Sequence, residues 1–284
     1  SSDVCSSDLS LKLLQQIPTK GAHPCYITIS PDQKNVFVAN YTGGNIVQFY
    51  RFADGRISNA RMIIQHKGAS INKERQEKAH VHGAFFNQEG NYLFTPDLGM
   101  DQITAYPYKV NANPVLQVEK QIVLNANPGA GPRHLSFSKN GKLIYVIEEL
   151  TGTVSVYQIQ KGMSKKLQTV STHPTNFTGQ ASSADMHLSP DEKYLYVSNR
   201  GNENNIVKLP LLENGLINAE KNNYFSSKGV KPRNFTISKD GKWLLVANQD
   251  SDNIIVFKIN PTNGDLVDTG HQIKVSMPVC LVLF

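Results

Sequence analysis

The chain has 284 residues, 39% of them hydrophobic and 18% charged, the balance of a folded globular protein long enough for one large domain or two ordinary ones. No apolar run approaches the roughly 18 residues that a membrane-crossing helix needs, so no membrane partner is expected. A net charge of +6 and a pI near 9.1 suit an anionic partner, yet the lysines are scattered over turns ("KNG", "DEK", "KDG"). That pattern describes a solvated surface and argues against nucleic acid.

In chain order, the opening "SSDVCSSD" repeats Ser-Ser-Asp and carries no strand or helix pattern. Residues 1–9 are therefore set apart as a non-native or junction segment, and residues 10–284 are read as a single domain. No secretory signal is visible, which favours the cytoplasm. The periplasm stays open because the native start is read as missing. "LKLLQQIPT" then resembles an outer strand.

Five segments of one pattern follow: "HPCYITISPDQKNVFVANYTGGNIVQFY" from His23, "HVHGAFFNQEGNYLFTPDLGMDQITAYPY" from His80, "GPRHLSFSKNGKLIYVIEELTGTVSVYQ" from Gly131, "SSADMHLSPDEKYLYVSNRGNENNIVKL" from Ser182 and "KPRNFTISKDGKWLLVANQDSDNIIVFK" from Lys231. Each has a β-rich run, a polar turn, a second run ending in Asn, Asp or Glu, a loop, and a third run. The turns start at Ser30, Asn87, Ser138, Ser189 and Ser238, at spacings of 57, 51, 51 and 49 residues. Asn-Gly, Asp-Gly and Pro-Asp between such runs predict tight hairpins. Polar stretches such as "GRISNARMIIQH" supply a fourth, outer strand. Four short antiparallel strands every fifty residues read as blades of an all-β propeller. A terminal "SMPVCLVLF" resembles a first strand with nothing after it. The expectation is thus five complete four-stranded blades plus partial strands, truncated at the N-terminus.

Comparison of blades separates architecture from chemistry. The start of each first strand and the end of each second strand converge on one rim of the channel. Five residues before the turn the slot holds Cys25, His82, Arg133, Ala184 and Arg233, and the next slot holds Tyr26, Gly83, His134, Asp185 and Asn234. The second strand ends uniformly at Asn40, Asp97, Glu148, Asn199 and Asn248, a pattern expected of structural caps. The position after it is irregular: Tyr41, Leu98, Glu149, Arg200 and Gln249. Arginines at a rim suit a carboxylate or phosphate, while a carboxylate and histidines beside them move protons. His80 and His82 form an HxH pair, but three nearby arginines would repel a dication, so no metal is expected. The three cysteines, Cys5, Cys25 and Cys280, form no spaced framework. Cys25 reads as a small buried apolar residue.

"ERQEKAHVHGAFF", "TPDLGMDQITAY", "GAGPRHLSFSKNGKLIYVIEELTGTVSVY", "YLYVSNRGNENNI" and the terminal "PVCLVLF" resemble the seven-bladed lactonase family, with its propeller-type 6-phosphogluconolactonases and carboxy-muconate cyclases. The resemblance implies cofactor-independent hydrolysis of a small anionic lactone at the channel rim, 6-phosphogluconolactone before others. It places site residues on His82, Arg133, Glu149 and Arg200. The expected roles are Glu149 or His82 as general base, Arg133 at the oxyanion, and Arg200 with Arg233 on the substrate's anionic group. His134 and His80 complete the substrate-binding set, His80 as a neighbour of His82. A muconate-type cyclase and a non-catalytic binding propeller are the alternatives.

Overall fold

The computed structural model describes residues 12–160 and 163–283; the segment 1–9 set apart above lies outside them. Among the described residues, twenty strands form five antiparallel four-stranded sheets. The first blade is β1 (Pro24–Ile29), β2 (Asn35–Asn40), β3 (Asn45–Tyr50) and β4 (Met62–Gln65). The second is β5 (Phe85–Phe86), β6 (Tyr92–Asp97), β7 (Gln102–Pro107) and β8 (Ile122–Asn125). The third is β9 (Pro132–Phe137), β10 (Leu143–Glu148), β11 (Thr153–Gln160) and β12 (Met163–Ser171). The fourth is β13 (Ser183–Leu188), β14 (Tyr194–Asn199), β15 (Asn205–Pro210) and β16 (Asn223–Ser226). The fifth is β17 (Pro232–Ile237), β18 (Trp243–Asn248), β19 (Asn253–Ile259) and β20 (Leu266–Lys274).

The expected turn chemistry is present. Ser30, Ser138, Ser189 and Ser238 each accept the backbone N–H five residues on, and Asn87 does the same through its side-chain oxygen. Each serine also donates to an Asp or Asn two residues later. The hairpin is closed by side chains as well as by backbone, which fixes register at the turn.

Blades pack face to face, so the second strand is buried on both sides. In β2, Phe37 and Ala39 join Leu93, Tyr106 and Tyr108 of the second blade. Val36 and Val38 turn the other way, against Val47, Phe49 and Ile17. Similar clusters join blades two and three around Phe94 and Val146, three and four around Tyr145 and Val197, and four and five around Tyr196 and Phe257. Complete burial of each such side chain contributes about 1.5–3 kcal/mol. Of the first strands, β13 approaches both β9 and β17 across the blades.

Blade two departs from expectation. A first strand was predicted from His80, yet β5 is two residues long, preceded by an isolated bridge from Val81 to Asp97. Its partner β6 carries Pro96, which accepts from the His82 N–H but has none to return, and the ladder thins there.

Candidate functional site

Two backbone devices present the rim residues. In β1, β9, β13 and β17 the register slips between Pro24 and Tyr26, Pro132 and His134, Ser183 and Met186, and Pro232 and Asn234. Cys25, Arg133 and Arg233 are thus the extra residues of β-bulges, and Ala184 and Asp185 occupy the matching irregularity in β13. A bulge releases its residue from the ladder and re-aims the side chain. The second device follows each second strand. The N–H of Tyr41, Leu98, Glu149, Arg200 and Gln249 donates to the carbonyl of His23, His80, Gly131, Ser182 and Lys231 respectively. This backbone bond recurs in all five blades, which leaves the side chain free to differ.

Around Glu149 the structure gathers four of the expected residues. Glu149 Oε2 lies 2.9 Å from Arg133 Nε, 3.1 Å from Arg200 Nη2 and 4.0 Å from His82 Nε2. All four side chains are buried. Arg133 also donates to the carbonyl of Ala184, and Arg200 to those of Ser182 and Ser183. Gly131, whose carbonyl receives the Glu149 N–H, has a φ of +69°, and a Cβ there would lie 2.6 Å from the Leu150 side chain. Its N–H is held by Asp101 Oδ1 at 2.7 Å.

A fifth member escaped sequence reasoning. Arg75 Nη2 reaches Glu149 Oε1 at 2.7 Å and the Tyr41 hydroxyl at 3.2 Å, with 41% of its side chain exposed. It belongs to the segment between blades one and two, outside the repeat, so no comparison of blades could reach it. Its place in "ERQEKAHVHG", just upstream of the histidines, was the only available signal.

His80 and His82 flank the same ring. His80 stacks on Tyr41 with centroids 4.5 Å apart, and His82 meets its edge at 5.4 Å. His80 is bonded to Glu77 Oε2 and the Tyr41 carbonyl, each at 3.1 Å. No contact ties it to Glu149 among the described residues. Arg233 makes neither a hydrogen bond nor an ion pair among the described residues.

His134 sits beside the Glu149 cluster, its Nε2 3.2 Å from Arg133 Nη1 and its ring 5.4 Å from that of His82. Its Nδ1 lies 2.8 Å from Asp185 Oδ1. Asp185 Oδ2 is 3.1 Å from His187 Nε2 and accepts from Asn234 at 2.5 Å. These groups, with Cys25, Tyr26 and Cys280, line a cavity of about 720 Å³.

The electrostatics separate the groups. Burial alone would raise the Glu149 carboxyl, but Arg200 and Arg133 outweigh it and hold the group well below the carboxylate range. Burial, assisted by Arg133 and His134, pushes His82 well below the usual imidazole value. His134 falls to about 4 by burial and Arg133, against the pull of Asp185. Arg200 falls to about 10 through burial, with Glu149 opposing. Near neutral pH the rim therefore holds a carboxylate, guanidinium cations and a neutral His82 whose Nδ1 is buried without a partner. Cys25 donates weakly to the carbonyls of Val81 and His82, and burial pushes its thiol up to about 11, as befits a packing residue.

The family model for "Lactonase, 7-bladed beta-propeller" matches residues 2–283. The chain belongs to this family. A 6-phosphogluconolactonase of Formosa agariphila is 36% identical over 276 residues, covering 96% of this chain and 77% of that protein. A crystal structure from Bacteroides fragilis superposes with a TM-score of 0.88 at 38% identity, covering 95% of this chain and 76% of that one. The periplasmic gluconolactonase of Pseudomonas aeruginosa superposes at 0.82 with 33% identity, covering 92% and 73%. The lactonase propeller fold expected from the repeats is the fold observed.

Proposed function

We propose that the chain hydrolyses a sugar lactone, 6-phosphogluconolactone before others, by metal-independent acid–base chemistry at the Glu149 rim. The observation that carries this reading is one buried carboxylate bound by three guanidiniums beside a neutral, unprotonated imidazole 4.0 Å away. Family membership and the names of the relatives support it.

Opening a lactone requires an activated water, a stabilised oxyanion and a proton for the leaving ring oxygen. Of the two candidate bases, Glu149 is the less suited, because Arg75, Arg133 and Arg200 already occupy its oxygens, whereas His82 Nδ1 has no partner among the described residues. His82 is neutral and takes the proton as the water oxygen bonds to the carbonyl carbon. The imidazolium that results is stabilised by Glu149. Arg133 Nη2 and Arg200 Nη1, which donate to no other group among the described residues, receive the developing oxyanion. Collapse breaks the ring C–O bond, and His82 returns its proton to the ring oxygen. The product is the open hydroxy acid. Arg75 and Glu149 hold the two buried arginines in place from the solvent side.

The test is a pH-indicator assay of proton release from 6-phosphogluconolactone, read against its spontaneous hydrolysis. Turnover above that background, abolished in His82→Ala, supports the reading. Background-rate hydrolysis by the wild-type chain counts against it.

A further inference from the structure

Four arginines ring the rim, and three are committed to protein partners. Arg75 holds Glu149 and the Tyr41 hydroxyl. Arg133 holds Glu149 and the Ala184 carbonyl. Arg200, expected from the sequence to carry the substrate's anionic group with Arg233 in support, is bonded to Glu149, Ser182 and Ser183. Glu149 thus consumes one charge and leaves the rim strongly positive.

Arg233 is the exception. It occupies the bulge of β17 as Arg133 occupies that of β9, so the fold turns it out of the ladder toward the same rim. It is half-buried, yet no carboxylate, carbonyl or hydroxyl receives its guanidinium among the described residues. The carboxylates that could do so are engaged elsewhere: Asp250 pairs with Lys231 at 3.3 Å, and Glu149 with the other three arginines. Cys25, close enough to feel both Arg133 and Arg233, keeps its proton because burial outweighs them. A half-desolvated guanidinium with its fork of donors unfilled is matched to a bidentate oxyanion.

We propose that Arg233 is the anion anchor of this site, receiving the phosphate or carboxylate of the lactone and setting a preference for charged over neutral substrates. The inference rests on the lactonase reading but can fail separately from it. A charge-assisted contact of this kind contributes about 10- to 100-fold in affinity.

The experiment compares kcat and KM of wild type, Arg233→Gln and Arg233→Lys on 6-phosphogluconolactone, a carboxylated muconolactone and glucono-lactone. Thermal melts establish that each variant is folded. The expected result is that Arg233→Gln lowers the preference for one anionic lactone over glucono-lactone by about 10- to 100-fold, through KM rather than kcat. Arg233→Lys, which keeps charge but loses the fork, regains part of it. Which anionic lactone responds identifies phosphate or carboxylate. An unchanged preference overturns the anchor, and so does an equal loss on all three lactones. If the wild-type chain hydrolyses none of them, the functional reading falls, and calorimetric binding of 6-phosphogluconate decides the anchor alone. Binding lost in Arg233→Gln supports it; binding equal in both proteins, or absent from both, overturns it.

Discussion

Two buried carboxylates lie in neighbouring parts of the channel, and their surroundings differ in kind. Glu149 is held by Arg75, Arg133 and Arg200, cations at every ordinary pH. Asp185 is held by His134, His187 and Asn234, two of which titrate. Both carboxyls are pulled below their usual range against the opposing effect of burial. The first cluster is a fixed charge array suited to stabilising a transient oxyanion. The second is a titratable packing element that joins β9, β13 and β17. The same physical device, a desolvated carboxylate with hydrogen-bonded partners, is assigned to chemistry in the proposed mechanism and to cohesion in the second cluster.

Substitutions in the first cluster therefore have the largest expected effects. His82→Ala removes the proposed base and should lower kcat by about 10²- to 10⁴-fold with little change in melting temperature. Glu149→Gln should lower kcat and also destabilise the fold by about 3–5 kcal/mol, because three guanidiniums lose their shared anion in a buried site. Wild-type rates and stability in Glu149→Gln would dissolve the distinction between the clusters.

Asp185→Asn is the matching change in the second cluster. It should cost about 1–3 kcal/mol in urea denaturation through the unsatisfied donors it leaves, with a far smaller drop in kcat than Glu149→Gln. A kcat loss as large as that of Glu149→Gln would place Asp185 in the chemistry. Arg75→Ala should lie below both. The residue is 41% exposed and contributes one contact to Glu149, so a few-fold loss of kcat/KM is expected, consistent with the modest value of half-exposed ion pairs.

Much of this contrast was legible in the sequence, for identifiable reasons. The repeat aligned Glu148 with Asn40, Asp97, Asn199 and Asn248, and the structure shows these side chains bonding backbone or hydroxyls. Asn199 donates to the Thr172 carbonyl and Asn248 to that of Ser227, while Glu148 accepts from Thr153 and Ser155. The bonds reach the links between blades rather than only the adjacent turn. One position on, the irregular slot picked out Glu149 and Arg200 correctly as neighbours. Two things escaped. Arg75 comes from a segment with no counterpart in other blades. The proposed choice of base was also closed to sequence, since Glu149 and His82 share a rim and only the guanidiniums gathered around Glu149 favour His82. The bulges were equally hidden, because a one-residue slip leaves no mark in an apolar–polar pattern already broken by proline.

The smallest prediction concerns pH and separates the histidines by sign. His134 has its folded value lowered to about 4, against an unfolded value near 6.5, and His82 moves the same way. Below the unfolded value the unfolded chain binds more protons at both groups, so both make stability rise with pH, His134 across roughly 4 to 6.5. His187 does the opposite. Burial lowers it, but Asp185 more than compensates and raises it, so its contribution is full below about 6.5 and fades as pH climbs through its folded value. With 40% of its side chain exposed, solvent limits that contribution to under about 1 kcal/mol. Denaturation of wild type and His187→Gln at pH 6 and pH 9 should show a deficit in the variant at the lower pH that shrinks at the higher. A deficit that grows with pH would mean that His187 is neutral in the fold and that the Asp185 cluster does not titrate as described.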